Sequence, residues 1–292
     1  MEDNKIIDGK SVSKRILLEL QEKVRNSGIT PGLAFFLVGN NPASEVYVSM
    51  KSKTCQELGY YSVLEKLPVN TTENELLGKI EFCNKDPKIH GILVQLPLPG
   101  DLDERKILEA VDYRKDVDGL HPINAGRLVM GEKCFIPCTP AGIIELLRNY
   151  NISVKGKNVV VLGRSNLVGK PIANLLLQKK EYANATVTIC HTATEDISKY
   201  TRRADVIIAA MGRAKFVTKD MIREGVVIID VGTSKIEDKT KKSGSRLAGD
   251  VDFEDCYEKA SKITPVPGGV GPMTIAMLMK NTFDSASGSV YS

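Results

Sequence analysis

Tyr47 and Lys51 sit one helical turn apart in Tyr47-Val-Ser-Met-Lys51, inside a stretch, 43–58, whose pattern predicts a helix. An i, i+4 spacing puts the phenol and the amine on one helix face. A lysine held out of water can give and take a proton, which makes the pair a candidate for proton transfer. A surface Tyr–Lys pair has the same spacing. Gln95 is the next candidate. It ends the apolar run Gly91-Ile-Leu-Val-Gln95 and precedes Leu96-Pro-Leu-Pro99. A glutamine inside an apolar strand needs hydrogen-bond partners, and in open parallel sheets the C-terminal strand ends face the ligand crevice. Lys51 is a plausible partner for it, and a capped loop turn is the alternative. Lys115-Asp-Val-Asp-Gly119 supplies two carboxylates, Asp116 and Asp118. A D-x-D can hold a metal, and it can equally form a turn before glycine.

Two glycine-rich segments could bind ligands through their backbone. In Asn158-Val-Val-Val-Leu-Gly163-Arg-Ser-Asn-Leu-Val-Gly169-Lys-Pro171 a buried strand runs into a turn and then a helix starting near Pro171. This order holds a dinucleotide pyrophosphate: glycines let the backbone approach the phosphates, and N–H groups at the helix start face them. The spacing from Gly163 to Gly169 is one residue longer than in G-x-G-x-x-G, and Ser165 stands at the middle glycine, so an ordinary strand–helix turn also fits. Thr264-Pro-Val-Pro-Gly-Gly-Val-Gly-Pro-Met-Thr274 combines prolines and glycines into a preformed backbone, suited to a functional loop or to a tight connection.

These groups must be positioned by an alternating α/β chain. Val12, Ile16, Leu20 and Val24 form a helix face ending near Gly28, 33–38 reads as a buried strand, and Thr72-Glu-Asn-Glu75 is a capping box opening a helix. The next strand is 91–96. Thr139-Pro140 reads as an N-cap and first helical residue, opening a helix to about Tyr150 that links two halves. Strands are expected at 158–162, 186–190, 205–210, 226–231 and 263–266. Continuous rather than alternating apolar runs indicate strands covered on both faces, hence parallel sheets. Lys235–Arg246 reads as a solvated loop and 284–292 as a frayed tail.

Composition narrows the function classes. The chain has 292 residues, 42% of them hydrophobic, with a formal net charge of +4. That length suits one large or two medium domains, and the small charge gives no argument for nucleic acid. No apolar run reaches the length of a membrane span, and Met-Glu-Asp-Asn-Lys lacks the apolar core of a signal peptide. The six cysteines form no C-x-x-C pair and the three histidines no cluster. Reduced cysteines in the cytoplasm and no metal site are therefore expected.

Taken together, the segments Val38-Gly-Asn-Asn-Pro-Ala-Ser44 with Tyr47 and Lys51, Val94-Gln-Leu-Pro-Leu-Pro99, Lys115-Asp-Val-Asp-Gly119, Pro137-Cys-Thr-Pro140, Gly163-Arg-Ser with Val168-Gly169 and Pro171, and Pro265-Val-Pro-Gly-Gly-Val-Gly-Pro-Met-Thr274 resemble methylenetetrahydrofolate dehydrogenase/methenyltetrahydrofolate cyclohydrolase. The motifs run in order over residues 5–281, nearly the whole chain. Two departures stand out: Thr233-Ser234 follows Asp230-Val-Gly232 where the family commonly has Ile-Asn, and Val111-Asp-Tyr-Arg lacks a frequent proline.

The resemblance implies an α/β fold of two domains. An N-terminal α/β catalytic, folate-binding domain (1–140) is completed by a returning C-terminal helix (272–292), and a Rossmann-type parallel-sheet domain (141–271) binds NADP, with folate in the cleft between. Tyr47, Lys51, Gln95 and Asp118 match the catalytic positions. Tyr47, Val94, Leu96 and Asp118 match substrate contacts, as do Pro267, Gly268 and Gly269 within a substrate loop running to Ile275. Gly163, Arg164, Ser165, Val168, Gly169, Thr192 and Thr233 match the cofactor side. Tetrahydrofolate derivatives are the implied substrates and a homodimer the implied assembly. NADP is expected over NAD on the residues too. NAD sites usually carry an acidic residue about twenty residues past the glycine turn, whereas here that strand ends Cys190-His191-Thr192-Ala193, and Arg164 and Thr192 are available to a 2′-phosphate. Two other classes remain open: a short-chain or amino-acid dehydrogenase, the former also carrying Y-x-x-x-K but after an N-terminal nucleotide fold, and a dinucleotide-sensing regulator with no turnover.

Overall fold

The computed structural model describes residues 5–238, Thr240 and residues 244–291, and of Ala43 the backbone alone. Residues 1–4 of the stretch expected to lack a targeting signal, Lys239 and residues 241–243 of the expected loop, and Ser292 of the expected tail lie outside the described residues. In chain order the elements are α1 (Gly9–Ser27), β1 (Gly32–Val38), α2 (Pro42–Glu57), β2 (Tyr61–Leu67), α3 (Glu73–Lys85), β3 (Gly91–Val94), α4 (Glu104–Ala110), α5 (Pro122–Met130) and α6 (Cys138–Asn149). They continue as β4 (Asn158–Leu162), α7 (Gly169–Leu177), β5 (Thr186–Cys190), α8 (Ser198–Thr201), β6 (Val206–Ala209), β7 (Val226–Asp230), β8 (Ser234–Glu237), β9 (Ser245–Ala248), α9 (Phe253–Cys256), β10 (Ala260–Ile263) and α10 (Val270–Ala286). The chain divides into two compact units, one of Lys14–Cys138 with residues from Ile275 onward, the other of residues 5–13 with Thr139–Thr274.

The first unit holds a parallel sheet of order β2-β1-β3. The middle strand, Gly-Leu-Ala-Phe-Phe-Leu-Val, is buried along its whole length, as a run without alternating polar residues requires. Ala34, Phe36 and Val38 face Leu76, Ile80 and Ile107 of α3 and α4 on one side. Thr72 opens α3 with the expected capping box, its side chain accepting from the Glu75 amide. Such a cap contributes about 1 kcal/mol. The strand β2 is not apparent in the sequence because Glu65 and Lys66 interrupt it. It lies at the sheet edge, where half-exposed residues are tolerated and Glu65 pairs with Lys79 at 2.7 Å.

The second unit is a parallel sheet of order β10-β7-β6-β4-β5. Its core packs Val160, Leu162, Ile207, Ala209, Ile228 and Ile263 together, all buried. Several expectations need correction. The last strand is Ala260–Ile263 rather than 263–266, because it pairs with Val226–Ile228 and Pro265 brings no N–H to a ladder. Thr139 is not an N-cap. The helix begins at Cys138, and the Thr139 hydroxyl instead pairs with that of Thr274 at 3.0 Å. The helices α7 and α10 begin at Gly169 and Val270, ahead of the prolines expected to start them. The stretch 235–246 is largely a hairpin, Ser234–Glu237 antiparallel to Ser245–Ala248. The tail is not frayed: the Tyr291 ring lies 5.1 Å from that of Tyr113 and 5.6 Å from that of Phe135, and its hydroxyl donates to Asn124. Among the described residues no helix is long and apolar enough to cross a membrane.

Candidate active site

The helix α2 carries Tyr47 and Lys51 on one face, and β3 delivers Gln95 just past its end. Lys51 is only 7% exposed and its Nζ donates to Gln95 Oε1 at 3.0 Å. The Gln95 side chain is held from its other end, Nε2 donating to the Leu96 carbonyl at 2.8 Å, while its backbone N–H continues the sheet to Phe36. The amide oxygen therefore faces the lysine. Tyr47, one turn before Lys51, keeps 37% of its surface exposed. Val94 is buried, and Leu96, followed by a cis Leu96–Pro97 bond, is half-buried.

The two aspartates of Asp116-Val-Asp118 do different work. Asp116 is buried and accepts from the amides of Leu120 (3.1 Å) and His121 (2.7 Å) and from Asn124 Nδ2 (2.8 Å). It builds the turn, and Gly119 completes it at φ +71°, where a Cβ would lie 2.6 Å from the Pro137 nitrogen. Asp118 is half-buried beyond it. Asn281 of α10 grips the carbonyls of Val117 (2.8 Å) and Ile136 (3.1 Å), so the C-terminal helix positions this turn. Burial pushes the Cys138 thiol well above its ordinary value, Asp118 raises it further by charge and a hydrogen bond, and Lys51 pulls it down. Lys51, Asp118 and Cys138 thus share one neighbourhood. The sequence reading singled out neither Cys138 nor Asn281; Pro137-Cys-Thr-Pro140 was the available signal for the former, and nothing local marked the latter.

Burial also pushes the Asp116 carboxyl up to about 7, against the pull of its hydrogen bonds. The folded pKa lies above the unfolded one, about 3.9. The stability this group contributes is therefore full below that value and is lost as pH rises towards 7, at about 1.4 kcal/mol per pH unit. Asp116→Asn does not titrate. The melting temperature of the wild type relative to this variant should accordingly fall between pH 4 and 7. A difference constant across that range would contradict the assignment.

In the second unit the glycine turn is built as a backbone cradle. Gly163 has φ +119°, and a Cβ there would lie 2.1 Å from the Ala210 carbonyl oxygen; one on Gly169 would lie 2.3 Å from the Gly163 oxygen. A side chain at Gly163 would collide with the chain just past β6 and one at Gly169 with the turn itself, so the backbone can pack this closely only with glycine at both positions. Ser165 Oγ accepts from the amides of Val168 (3.1 Å) and Gly169 (3.4 Å), and Val168 caps α7 with no side-chain bond. Arg164 is exposed in the turn. The Gly163 amide donates to the Cys190 carbonyl at 2.8 Å, which sets the turn beside the end of β5. From there His191–Thr194 form a closed turn, His191 N–H to Thr194 Oγ1 at 3.0 Å, with Thr192 exposed. Thr233 is exposed past β7. The loop Pro265–Gly269 closes on itself through the Gly269 amide to the Pro265 carbonyl at 2.8 Å, with Pro267 exposed. Lys10 N–H anchors it at the Gly268 carbonyl, 2.9 Å away. Among the described residues no three His, Cys, Asp or Glu side chains group as metal ligands.

Comparison with known proteins decides the family. Residues 7–118 match the model of the tetrahydrofolate dehydrogenase/cyclohydrolase catalytic domain, and residues 137–290 match that of its NAD(P)-binding domain. The chain belongs to the tetrahydrofolate dehydrogenase/cyclohydrolase family. Bifunctional protein FolD of Prosthecochloris aestuarii is 56% identical over 286 residues, covering 96% of this chain and 97% of that protein. The solved FolD methylenetetrahydrofolate dehydrogenase/cyclohydrolase of Campylobacter jejuni is 49% identical with a TM-score of 0.91, over 97% of this chain and 99% of that one. FolD of Trypanosoma brucei, solved with NADP cofactor and an inhibitor, is 39% identical with a TM-score of 0.92, over 98% of each. The two-domain α/β fold with parallel sheets expected from the sequence is the fold of this family.

Proposed function

We infer that the protein oxidises 5,10-methylenetetrahydrofolate to 5,10-methenyltetrahydrofolate with NADP and hydrolyses that product to 10-formyltetrahydrofolate. The observation that carries the reading is the bond from buried Lys51 to half-buried Gln95, with Asp118 in the same neighbourhood. Such a pair moves protons, and a sensing protein has no use for it.

NADP, when bound, supplies the hydride acceptor. The folate product is a delocalised N–C–N cation, so hydride loss needs no strong base from the chain, and alignment of the reactants provides much of the rate. The residues offered for the cofactor side are Gly163, Arg164, Ser165, Val168, Gly169, Thr192 and Thr233. The glycines and Val168 shape the cradle, and Ser165 retains its hydroxyl proton for donation. The second step adds water to the cation, and the ring opens. Here protons must move, and Lys51 takes or relays them, oriented by Gln95. Asp118 accepts from the pterin amino and ring N–H groups, a charge-assisted contact. Tyr47 stacks on or bonds to the substrate. Val94 and Leu96 are proposed beside it at the end of β3, and Pro267, Gly268 and Gly269 rest on the family resemblance.

The same reading takes the protein as a cytoplasmic homodimer that binds no nucleic acid. Its support is six cysteines outside any disulfide, the small net charge of +4 and the family. The test of function uses two substrates. Methenyltetrahydrofolate alone should yield 10-formyltetrahydrofolate, and methylenetetrahydrofolate should turn over only with NADP. Reduction of carbonyl substrates without competition from folate would indicate a short-chain dehydrogenase, and NADP binding without turnover a sensor.

A further inference from the structure

Asp230 and Asp250 are buried carboxylates, 3% and 0% exposed, that the functions above leave without a task. Each is saturated by backbone amides. Asp230 Oδ1 accepts from Gly232 and Asp250, both at 2.9 Å, and its Oδ2 from Val251 at 3.0 Å. Asp250 Oδ2 accepts from Met211 (2.5 Å) and Gly212 (2.9 Å), and its Oδ1 from Arg213 (2.7 Å). The two form a chain. Asp230, at the end of β7, fixes the Asp250 backbone, and the Asp250 side chain fixes the loop after β6.

Nothing else fits between them. A Cβ on Gly249 would lie 1.8 Å from Asp230 Oδ2, and one on Gly232 would lie 2.4 Å from Asp250 Oδ1. The loop they hold is the one that touches the glycine turn. Ala210 donates to the Leu162 carbonyl at 2.8 Å, and its own carbonyl fills the space a Gly163 side chain would need. Asp230 also sets the course of the chain into Thr233 through the Gly232 amide. Both carboxylates therefore act at the C-terminal edge of the parallel sheet, where ligands bind in this architecture. Three amide donors favour the ionised carboxylate of Asp230. At Asp230 burial works against them and pushes the carboxyl up to about 7.

We propose that Asp250, backed by Asp230, is a positioning residue for the cofactor: its carboxylate holds the Met211–Arg213 loop against the Gly163 turn before NADP arrives, so NADP affinity is set through a loop it organises. The proposal rests on reading the Gly163 turn as the dinucleotide site. Without that carboxylate the amides of Met211, Gly212 and Arg213 lose the one acceptor on which all three converge.

Asp250→Asn keeps the shape but turns one acceptor into a donor facing those amides. The expected result is a rise of about tenfold or more in the KM for NADP, with cyclohydrolase activity on methenyltetrahydrofolate, which consumes no dinucleotide, within about twofold of wild type. An unchanged KM for NADP, or an equal fall in both activities, would overturn the proposal. Hydrogen exchange on the wild-type protein provides a second test that needs no variant. Without NADP, the amides of Met211, Gly212 and Arg213 should exchange as slowly as those of β6. Fast exchange that slows only on adding NADP would show that the cofactor, not Asp250, orders the loop. Failure of the functional reading is separate: the wild type would then show no NADP-dependent turnover of methylenetetrahydrofolate at all.

Discussion

Lys51→Met is expected to abolish most cyclohydrolase activity while leaving measurable dehydrogenase activity. Hydride loss produces a cation, so a neutral side chain in place of the ammonium does not oppose it electrostatically. Hydration and ring opening do require proton transfer, and loss of a positioned acid–base group costs about 10²–10⁴-fold in rate. The structure sharpens the argument. Lys51 is buried with its Nζ on Gln95, and methionine retains the length and apolar stem but leaves Gln95 Oε1 without its donor. Methenyltetrahydrofolate should accumulate instead of passing to the formyl product. Hydrolysis at a near wild-type rate would remove Lys51 as the proton carrier. Loss of both activities in a folded variant that still binds folate would extend its role beyond the hydrolytic step.

Arg164→Ala should weaken NADP far more than NAD. Arg164 is exposed in a turn hydrogen-bonded to the end of β5, from which His191–Thr194 continue with no carboxylate before Glu195. In the site proposed above, a ribose 2′-hydroxyl would find no acidic acceptor in that turn, and a 2′-phosphate would have the Arg164 guanidinium and the Thr192 hydroxyl available. A hydrogen bond to a charged group contributes about 1.5–3 kcal/mol, so kcat/KM for NADP should fall by roughly tenfold to a hundredfold. NAD, lacking the phosphate, should be nearly unaffected. Equal losses with the two cofactors, or a wild type that uses NAD as well as NADP, would contradict the assignment.

Legibility in the sequence followed burial. The strands β4 and β6 lie where the apolar runs at 158–162 and 205–210 place them, because a parallel strand covered on both faces writes itself as an unbroken run. The strand β2 and the β8–β9 hairpin left no such trace. Tyr61–Leu67 is an edge strand with Glu65 and Lys66 in it, and Ser234–Glu237 is half solvated. The Lys51–Gln95 contact was foreshadowed because a glutamine in an apolar run must find a partner. The supports of the site were not. Asn281 reaches Val117 from the far end of the chain, and no local pattern encodes a contact of that range. Asp116 was ambiguous for a related reason: D-x-D-G reads alike as ligand pair or turn until the amides of Leu120 and His121 are seen closing on it.

The most direct test of the central claim is a single time course. Purified protein is mixed with 5,10-methylenetetrahydrofolate and NADP, and the absorbances of NADPH and of methenyltetrahydrofolate are followed together. Methenyl absorbance should rise and then decay as 10-formyltetrahydrofolate forms, with one NADPH per folate converted. NADPH formation without a methenyl intermediate, or methenyltetrahydrofolate that decays no faster than in buffer, would contradict the bifunctional account.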